Sequence, residues 1–384
     1  MKKLIVKIHK YIIGRYNRFL DDKLIKKLLA TIADNGERKV TEQLLINQMN
    51  YLNSVAEYSP QVQNRKQKTL MMKVAAKVIG RLLVMRGIVG VQPMQGPVGL
   101  VYSMQYKQEL EETASASPRL SLQVLTNAVE AKSRKLQTGF MLEMAQDMQA
   151  MHGIDAEAEI SEVLAFEIAH EIHIEVLADL VKLAAHSQFE AADKTGVRNK
   201  AQAMMIKLNQ EATSIAAKTR RGPGNILVVS PTVLSIFQMM RVSGISLKAV
   251  EKRTDDMALR HVYDMVSKLS TGEEHVMFHI FLSMAPSIAD ANGNDKILMM
   301  YKGPNEIDTG YVYTPYIPIM PNGPVVDPAT YQPRITLMTR YGKHMNNNDG
   351  GMSDSHHYYR VIEINTKDWL TDVLGIVDNT ELPS

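Results

Sequence analysis

A chain of 384 residues with 45 % apolar and 22 % charged side chains has the composition of a globular protein long enough for two or three domains, which excludes wholesale disorder. The absence of cysteine excludes disulfides, thiol nucleophiles and cysteine-type zinc sites, and no apolar run approaches the roughly 20 residues of a membrane-spanning helix. The net charge of +3 hides an asymmetry, because residues 1–90 hold 18 Lys plus Arg against 6 acids and the remainder holds 26 against 35. Such a basic N-terminal part suits nucleic acid, an acidic surface of the same protein or an acidic assembly partner.

In chain order, residues 1–36 place Ile5, Ile8, Ile12, Tyr16, Phe19, Leu24 and Leu28 among Lys and Arg and close at Asn35 and Gly36. This predicts a basic amphipathic helix, whose apolar face packs more simply on protein than on a membrane surface. Lys7, His9, Lys10 and Arg15 interrupt any apolar centre a signal peptide would need. Helices follow over Glu37–Ala56 and Gln63–Arg86, separated by Ser59 and Pro60 and ended by Gly87. Glycine and proline then punctuate Ile88–Tyr106, a turn feeding a strand. With a loop tip at Lys107–Pro118 and a returning arm over Gln123–Phe140, this predicts a long two-stranded excursion.

The stretch Asp155–His186 has no proline or glycine and sets Ile160, Leu164, Ile168, Ile172 and Val176 four apart. It predicts a helix roughly 48 Å long, with Asp155 as its cap and acids in its first turns. Its polar side carries Glu167, Glu171, Glu175 and Asp179, also four apart, and like charges at that spacing repel. Either water solvates this stripe or a basic neighbour, from the same chain or another subunit, faces it. A helix over Lys200–Lys218 follows, and then ILVVSPTVLSIFQMM reads as strand, turn and helix, with Ser230 as cap and Pro231 at the first helical position. Strands come next, at Val276–Ser283, Lys296–Tyr301, Gly310–Ile319, Arg334–Tyr341 and Tyr358–Asn365. Helices first and strands later predict an α+β fold.

The candidate chemistry is weak throughout. His170 and His173 flank Glu171 at i, i+3, one residue short of the spacing that aims two imidazoles at one zinc, and they read as polar-face or interface residues. The basic, glycine-rich RRGPGN precedes a strand, whereas a phosphate cradle follows one and opens a helix. NNNDGGMSDSHH lacks the ligand spacing of a calcium loop. Paired methionines such as Met71 with Met72, Met204 with Met205, Met239 with Met240 and Met299 with Met300 suit either core filling or an adaptable binding face. No catalytic residue, cofactor site or metal site emerges, and the chain does not read as an enzyme.

Several longer stretches converge on one family. GVQPMQGPVGLVYSM at 90–104, VEAKSRKLQTGF at 129–140 and EMAQDMQAMHGIDAEAEISEVLAFEIAHEI at 143–172 resemble the major capsid proteins of T4-type tailed bacteriophages. So do RRGPGNILVVSPTVL at 220–234, YKGPNEIDTGYVYTPYIPI at 301–319 and DPATYQPRITLMTRYG at 327–342. The resemblance implies the HK97 fold, with a basic helical N-terminal arm over residues 1–60, the start of a peripheral domain over 61–100 and an E-loop hairpin over 101–137. The peripheral domain would continue over 138–223 with its spine helix at 155–186, the axial domain would span 224–342, and 343–384 would return to the peripheral domain and end in a tail.

It further implies a virion protein, assembled in the host cytoplasm, that forms hexamers and also pentamers of an icosahedral shell enclosing double-stranded DNA. Portal, scaffold and decoration or vertex proteins would be its partners, with nonspecific contact to packaged DNA and no membrane. Lys132, Arg134 and Lys135 are then candidate inter-subunit contacts, facing the acids Glu167, Glu171 and Glu175. Alternatives are a pentamer-only vertex subunit of the same family and an encapsulin-like compartment shell. Only 22 residues, Lys107–Ala128, separate the motifs flanking the hairpin, so the extra domain some members carry there is missing. Related proteins lose an N-terminal segment to a maturation protease, for which Glu42 or Glu57 would be the site here.

Overall fold

A computed structural model describes residues 23–30, 32, 34–56, 65–109, 119–153, 155–189, 197–239, 245–250, 259–268, 273–289, 294–326, 332–345 and 357–366. The first helix expected over 1–36 lies outside these residues up to position 22, as do the hairpin tip at 110–118 and NNNDGGMSDSHH up to position 356.

Residues 23–29 are helical, and α1 spans Asn35–Ala56. Asn35 and Gly36, expected to close the first helix, open α1 instead. The Asp34 carboxylate accepts the backbone N–H groups of Gly36 and Glu37, each at 3.2 Å, and so satisfies two donors that a helix start leaves without an intrahelical partner. α2, Arg65–Leu82, tightens into a 3-10 turn at Leu83–Gly87. After β1, Gly90–Val91, the strands β2, Val98–Glu109, and β3, Arg119–Glu130, pair antiparallel over their whole length as the predicted excursion. The returning arm is not one piece. It breaks at Ala131, and β4, Lys132–Gly139, leaves the hairpin to join a different sheet.

α3, Leu142–His152, ends at Gly153, whose φ of 65° is the left-handed conformation that suits a residue without Cβ. The spine is α4, Ala156–Leu183, and Asp155 caps it by accepting the Ala158 N–H at 3.4 Å. It stops short of His186 because Ala185–Phe189 is β5, paired in parallel with the last strand. Then come α5, Val197–Thr219; β6, Ile226–Val229; and α6, Pro231–Met239. Ser230 caps α6 as predicted, its hydroxyl accepting the Val233 N–H at 3.2 Å. The remaining strands are β7, Ile245–Ala249; β8, Arg260–Lys268; β9, Glu274–Leu282; β10, Asn294–Met300; β11, Tyr311–Val326; β12, Pro333–Met345; and β13, Tyr359–Asn365.

The strands form a seven-stranded sheet, β5-β13-β10-β6-β9-β8-β7, a four-stranded sheet, β1-β11-β12-β4, and the β2-β3 hairpin, so the fold class is α+β. Prolines shape the long strand β11. Proline lacks the N–H a ladder needs, and the register slips between Pro315 and Ile317 and again between Ile317 and Met320, around Pro318. One core gathers Ile168, Ile172, Val176 and Leu180 of the spine with Leu44, Leu45 and Leu52 of α1, Val78 and Ile79 of α2, and Tyr311, Tyr313 and Leu337 of the four-stranded sheet. A second lies between α5, α6 and the seven-stranded sheet, around Leu208, Ile215, Phe237, Phe278 and Met299.

Residues 35–56 of the expected arm are thus part of the packed body. Two buried amides lock them there. Asn47 donates to the carbonyls of Met94 and Tyr316 at 2.7 and 2.9 Å, and Gln48 both donates to the Ile319 carbonyl at 2.7 Å and accepts its N–H at 3.2 Å. Of the methionines singled out, Met72, Met204, Met205, Met299 and Met300 are core filling. No described helix is long and apolar enough to cross a membrane.

Candidate assembly surface around the spine helix

Three of the four acids of the α4 stripe, Glu171, Glu175 and Asp179, have basic partners within the chain. Arg134, on β4, donates to Glu171 at 2.9 Å and also pairs with Glu175. Lys343, on β12, bridges Glu175 at 2.6 Å and Asp179 at 2.5 Å. The Tyr341 hydroxyl donates to Glu175 at 2.7 Å and that of Tyr311 to Asp179 at 3.2 Å. Nearer the N-terminal end of the spine, Lys77 of α2 pairs with Glu162, and the Arg81 guanidinium lies 3.7 Å above the Phe166 ring. The cations that relieve the like-charge repulsion along the helix come from three neighbouring elements, β4, β12 and α2.

Burial alone would raise the Glu175 carboxyl, but the hydrogen bonds from Lys343 and Tyr341 and the charges of Lys343 and Arg134 outweigh it and hold its pKa below the usual glutamate value. Burial pushes the Tyr341 phenol up to about 12. A depressed carboxylate adds stability that is complete above its unfolded pKa and is lost as the pH falls through the folded one. Glu175→Gln should therefore flatten the loss of stability below about pH 5, while lowering stability at neutral pH by about 1 kcal/mol, a figure reduced by the partial exposure of these groups. Urea unfolding of both proteins across the acid range checks this.

The candidate residues divide. Arg134, Glu171 and Glu175 come together, but inside one chain. Glu167 is exposed, and so are Lys132 and Lys135, which lie on opposite faces of β4. β4 is the outer strand of its sheet, where Lys also guards against unwanted edge pairing. A groove of about 600 Å³ runs beside the ladder, lined by Lys132, Arg134, Glu175, Tyr341, Lys343 and His344. His173, expected on a polar or interface face, is instead fully buried in the spine, because one turn to either side lie the buried Ala169 and Leu177 on the inward side; His170 is half-buried.

Sequence reasoning missed a second junction. The RRGPGN turn and the YKGPNEIDTG loop meet. Arg221 pairs with Asp308 and donates to the Met104 carbonyl at 2.7 Å, and Asn225 donates to the Lys302 carbonyl at 2.8 Å while accepting its N–H at 3.1 Å. From the other side, Arg86 pairs with Glu306 and reaches Asp34 at 2.6 Å. The junction ties the base of the hairpin to α1, α5 and the seven-stranded sheet. Its only sequence signal was the length of the two motifs.

Among the described residues, two groups of apolar side chains stand open to solvent. On one face of the hairpin Val98, Leu100, Tyr102 and Val124 are 63, 59, 46 and 56 % exposed, whereas the other face buries Val101 and Val129 against Val312. α3 has no buried residue and presents Met141, Leu142, Met144 and Met151 to solvent. Contiguous exposed apolar side chains of this kind mark contact surfaces.

Two packed cores, a hairpin with one solvent-exposed apolar face and charge ladders that lock elements together characterise the described residues. The family model of the major capsid protein Gp23 matches residues 107–364, two-thirds of the chain, and the chain belongs to that family. It is 29 % identical to the major capsid protein of Enterobacteria phage T4 over 267 residues, which are 64 % of this chain and 48 % of the relative. It is 28 % identical to that of Vibrio phage KVP40 over 263 residues, 62 % of this chain and 48 % of the relative. The chain thus spans about half the length of these relatives. Among solved structures, that titled "The capsid of Myoviridae Phage XM1" is similar at a TM-score of 0.41 and 11 % identity, covering 73 % of this chain and 91 % of that one.

Proposed function

We propose that the chain is the repeating subunit of a phage head, assembling with copies of itself into hexamers, and pentamers at the vertices, of an icosahedral shell around double-stranded DNA. The hairpin's exposed apolar face is the observation that carries this reading: a protein of this family with an unpartnered two-stranded apolar surface has a neighbour to place on it. In this reading the β2–β3 part of residues 101–137 is the E-loop, 61–100 and 132–223 with the four-stranded sheet the peripheral domain, the rest of 224–342 the axial domain and 343–384 the return and tail. The arm ahead of α1, residues 1–34, braces the inner side, where its basic residues can touch packaged DNA through nonspecific, salt-sensitive phosphate contacts. Portal, scaffold and decoration or vertex proteins complete the particle. The role is architectural, with heterologous ring contacts in place of catalysis.

The major subunit is favoured over the vertex subunit because the match to the capsid vertex protein of T4, 37 % identical, covers only 20 % of the chain. Lys132 and Lys135 are the basic residues left to meet a neighbour. Reversing both to Glu should lower assembly at least about tenfold, the equivalent of 1.4 kcal/mol, with an unchanged circular dichroism spectrum. Sedimentation of assembled particles reads the effect; undiminished assembly would remove these two residues from the interface.

A further inference from the structure

On the seven-stranded sheet, away from the spine and the hairpin, two histidines and an aspartate converge. His261 Nε2 and His279 Nδ1 lie 2.9 and 2.7 Å from the same oxygen, Asp264 Oδ1. The ligand atoms of the three residues are all within 4.8 Å of one another. The backbone is arranged to bring this about. Residues three apart on a strand point to opposite faces, but the β8–β9 register slips between His261 and Tyr263, and the extra residue returns His261 to the face of Asp264. Asp264 is in turn the direct cross-strand partner of His279. Without the bulge there would be a pair, not a triad.

We propose that His261, Asp264 and His279 form a binding site for one divalent transition-metal ion of the zinc class. Two imidazole nitrogens and one carboxylate oxygen are a borderline donor set that suits such ions and, with three protein ligands, leave a position for water. Bonds of about 2.0–2.2 Å in a tetrahedral arrangement set ligand atoms about 3.4 Å apart, so the observed cluster needs only small side-chain rotations to admit the ion. His261 is held in place by stacking on Phe281, ring centroids 4.6 Å apart and planes 15° from parallel, and His279 meets it edge-on at 5.6 Å. The three side chains are 26, 22 and 42 % exposed in chain order, and His261 borders an open groove, so an ion has a way in.

Nearby charges do not occupy the site. Lys248, the other cross-strand partner of Asp264, lies 3.8 Å from Glu274, and Asp34 and Glu306 in the groove are bound to Arg86. The ion would join β8 to β9 beside the groove and add to stability by mass action.

The test is titration of the chelator-treated full chain with cobalt(II), read by its visible absorption, and with zinc(II), read by calorimetry and melting temperature. One equivalent per chain is expected, with the intense bands of a four-coordinate site and a zinc-dependent rise in melting temperature. Affinity should fall at least tenfold in both Asp264→Asn and His279→Gln, each compared with the parent by its metal-free urea midpoint. Should Asp264→Asn fail to fold, His279→Gln, altering the most exposed of the three, carries the same test. No binding at micromolar metal, or binding equal in parent and variants, would overturn the proposal, the latter by assigning the ion to other histidines among the eleven.

Discussion

Replacing Asp308 by Ala should destabilise the folded chain by about 3–5 kcal/mol, the cost of leaving one partner of a buried ion pair uncompensated. The Arg221 side chain is only 4 % exposed and that of Asp308 only 14 %. Once the carboxylate is gone, the guanidinium keeps its bond to the Met104 carbonyl but loses the carboxylate paired with it, and the Tyr301 hydroxyl loses an acceptor at 3.4 Å. The loop also loses local definition, since Gly303 packs so closely on the Asp308 carboxylate that a Cβ there would have no room. Urea unfolding at neutral pH should show a lower midpoint with an unchanged slope. The double variant Arg221→Met with Asp308→Leu should recover most of the loss, because an apolar pair of similar volume carries no desolvation penalty. A single-variant loss below about 1 kcal/mol would mean that the junction is solvated and does not hold the hairpin base.

The second large effect is on assembly. Leu100→Asp with Tyr102→Asp puts two carboxylates on the hairpin's open face, where both residues are more than two-fifths exposed. The isolated chain should change in stability by no more than about 0.5 kcal/mol, as surface substitutions do. If a neighbour covers this face, each buried side chain of that kind is worth about 1.5–3 kcal/mol per contact. Adding the cost of burying an unpaired charge, association should fall at least about a hundredfold. Velocity sedimentation of freshly purified parent and variant separates the two quantities, and normal particle yields from the variant would show that the hairpin face stays in solvent.

The spine, the excursion and the strand-rich half were legible because each rests on a local pattern. Ile160 to Val176 keep helical period without a breaker, and prolines and glycines mark the turns of Ile88–Tyr106. What was not legible depends on partners far away in the chain. No proline or glycine interrupts Val124 to Thr138, yet β3 belongs to the hairpin and β4 to another sheet, because the choice is made by β12 some two hundred residues later. The acidic stripe announced a need for cations but not their source, since Arg134 and Lys343 reach it only through that same pairing. β8 escaped notice because a bulge and the polar residues His261, Asp264 and Ser267 break the period-two pattern by which a strand is recognised, and β7 is only five residues long. The same bulge creates the proposed metal site.

On the proposed function this chain builds a shell with copies of itself. Electron microscopy of the purified protein, alone and at moderate salt, tests it most directly: hexameric rings, sheets or closed particles are the predicted result, with six-fold rings expected of a major subunit and five-fold rings alone of a vertex subunit. Monomers that persist alone and also when co-expressed with phage scaffold and portal proteins would contradict it.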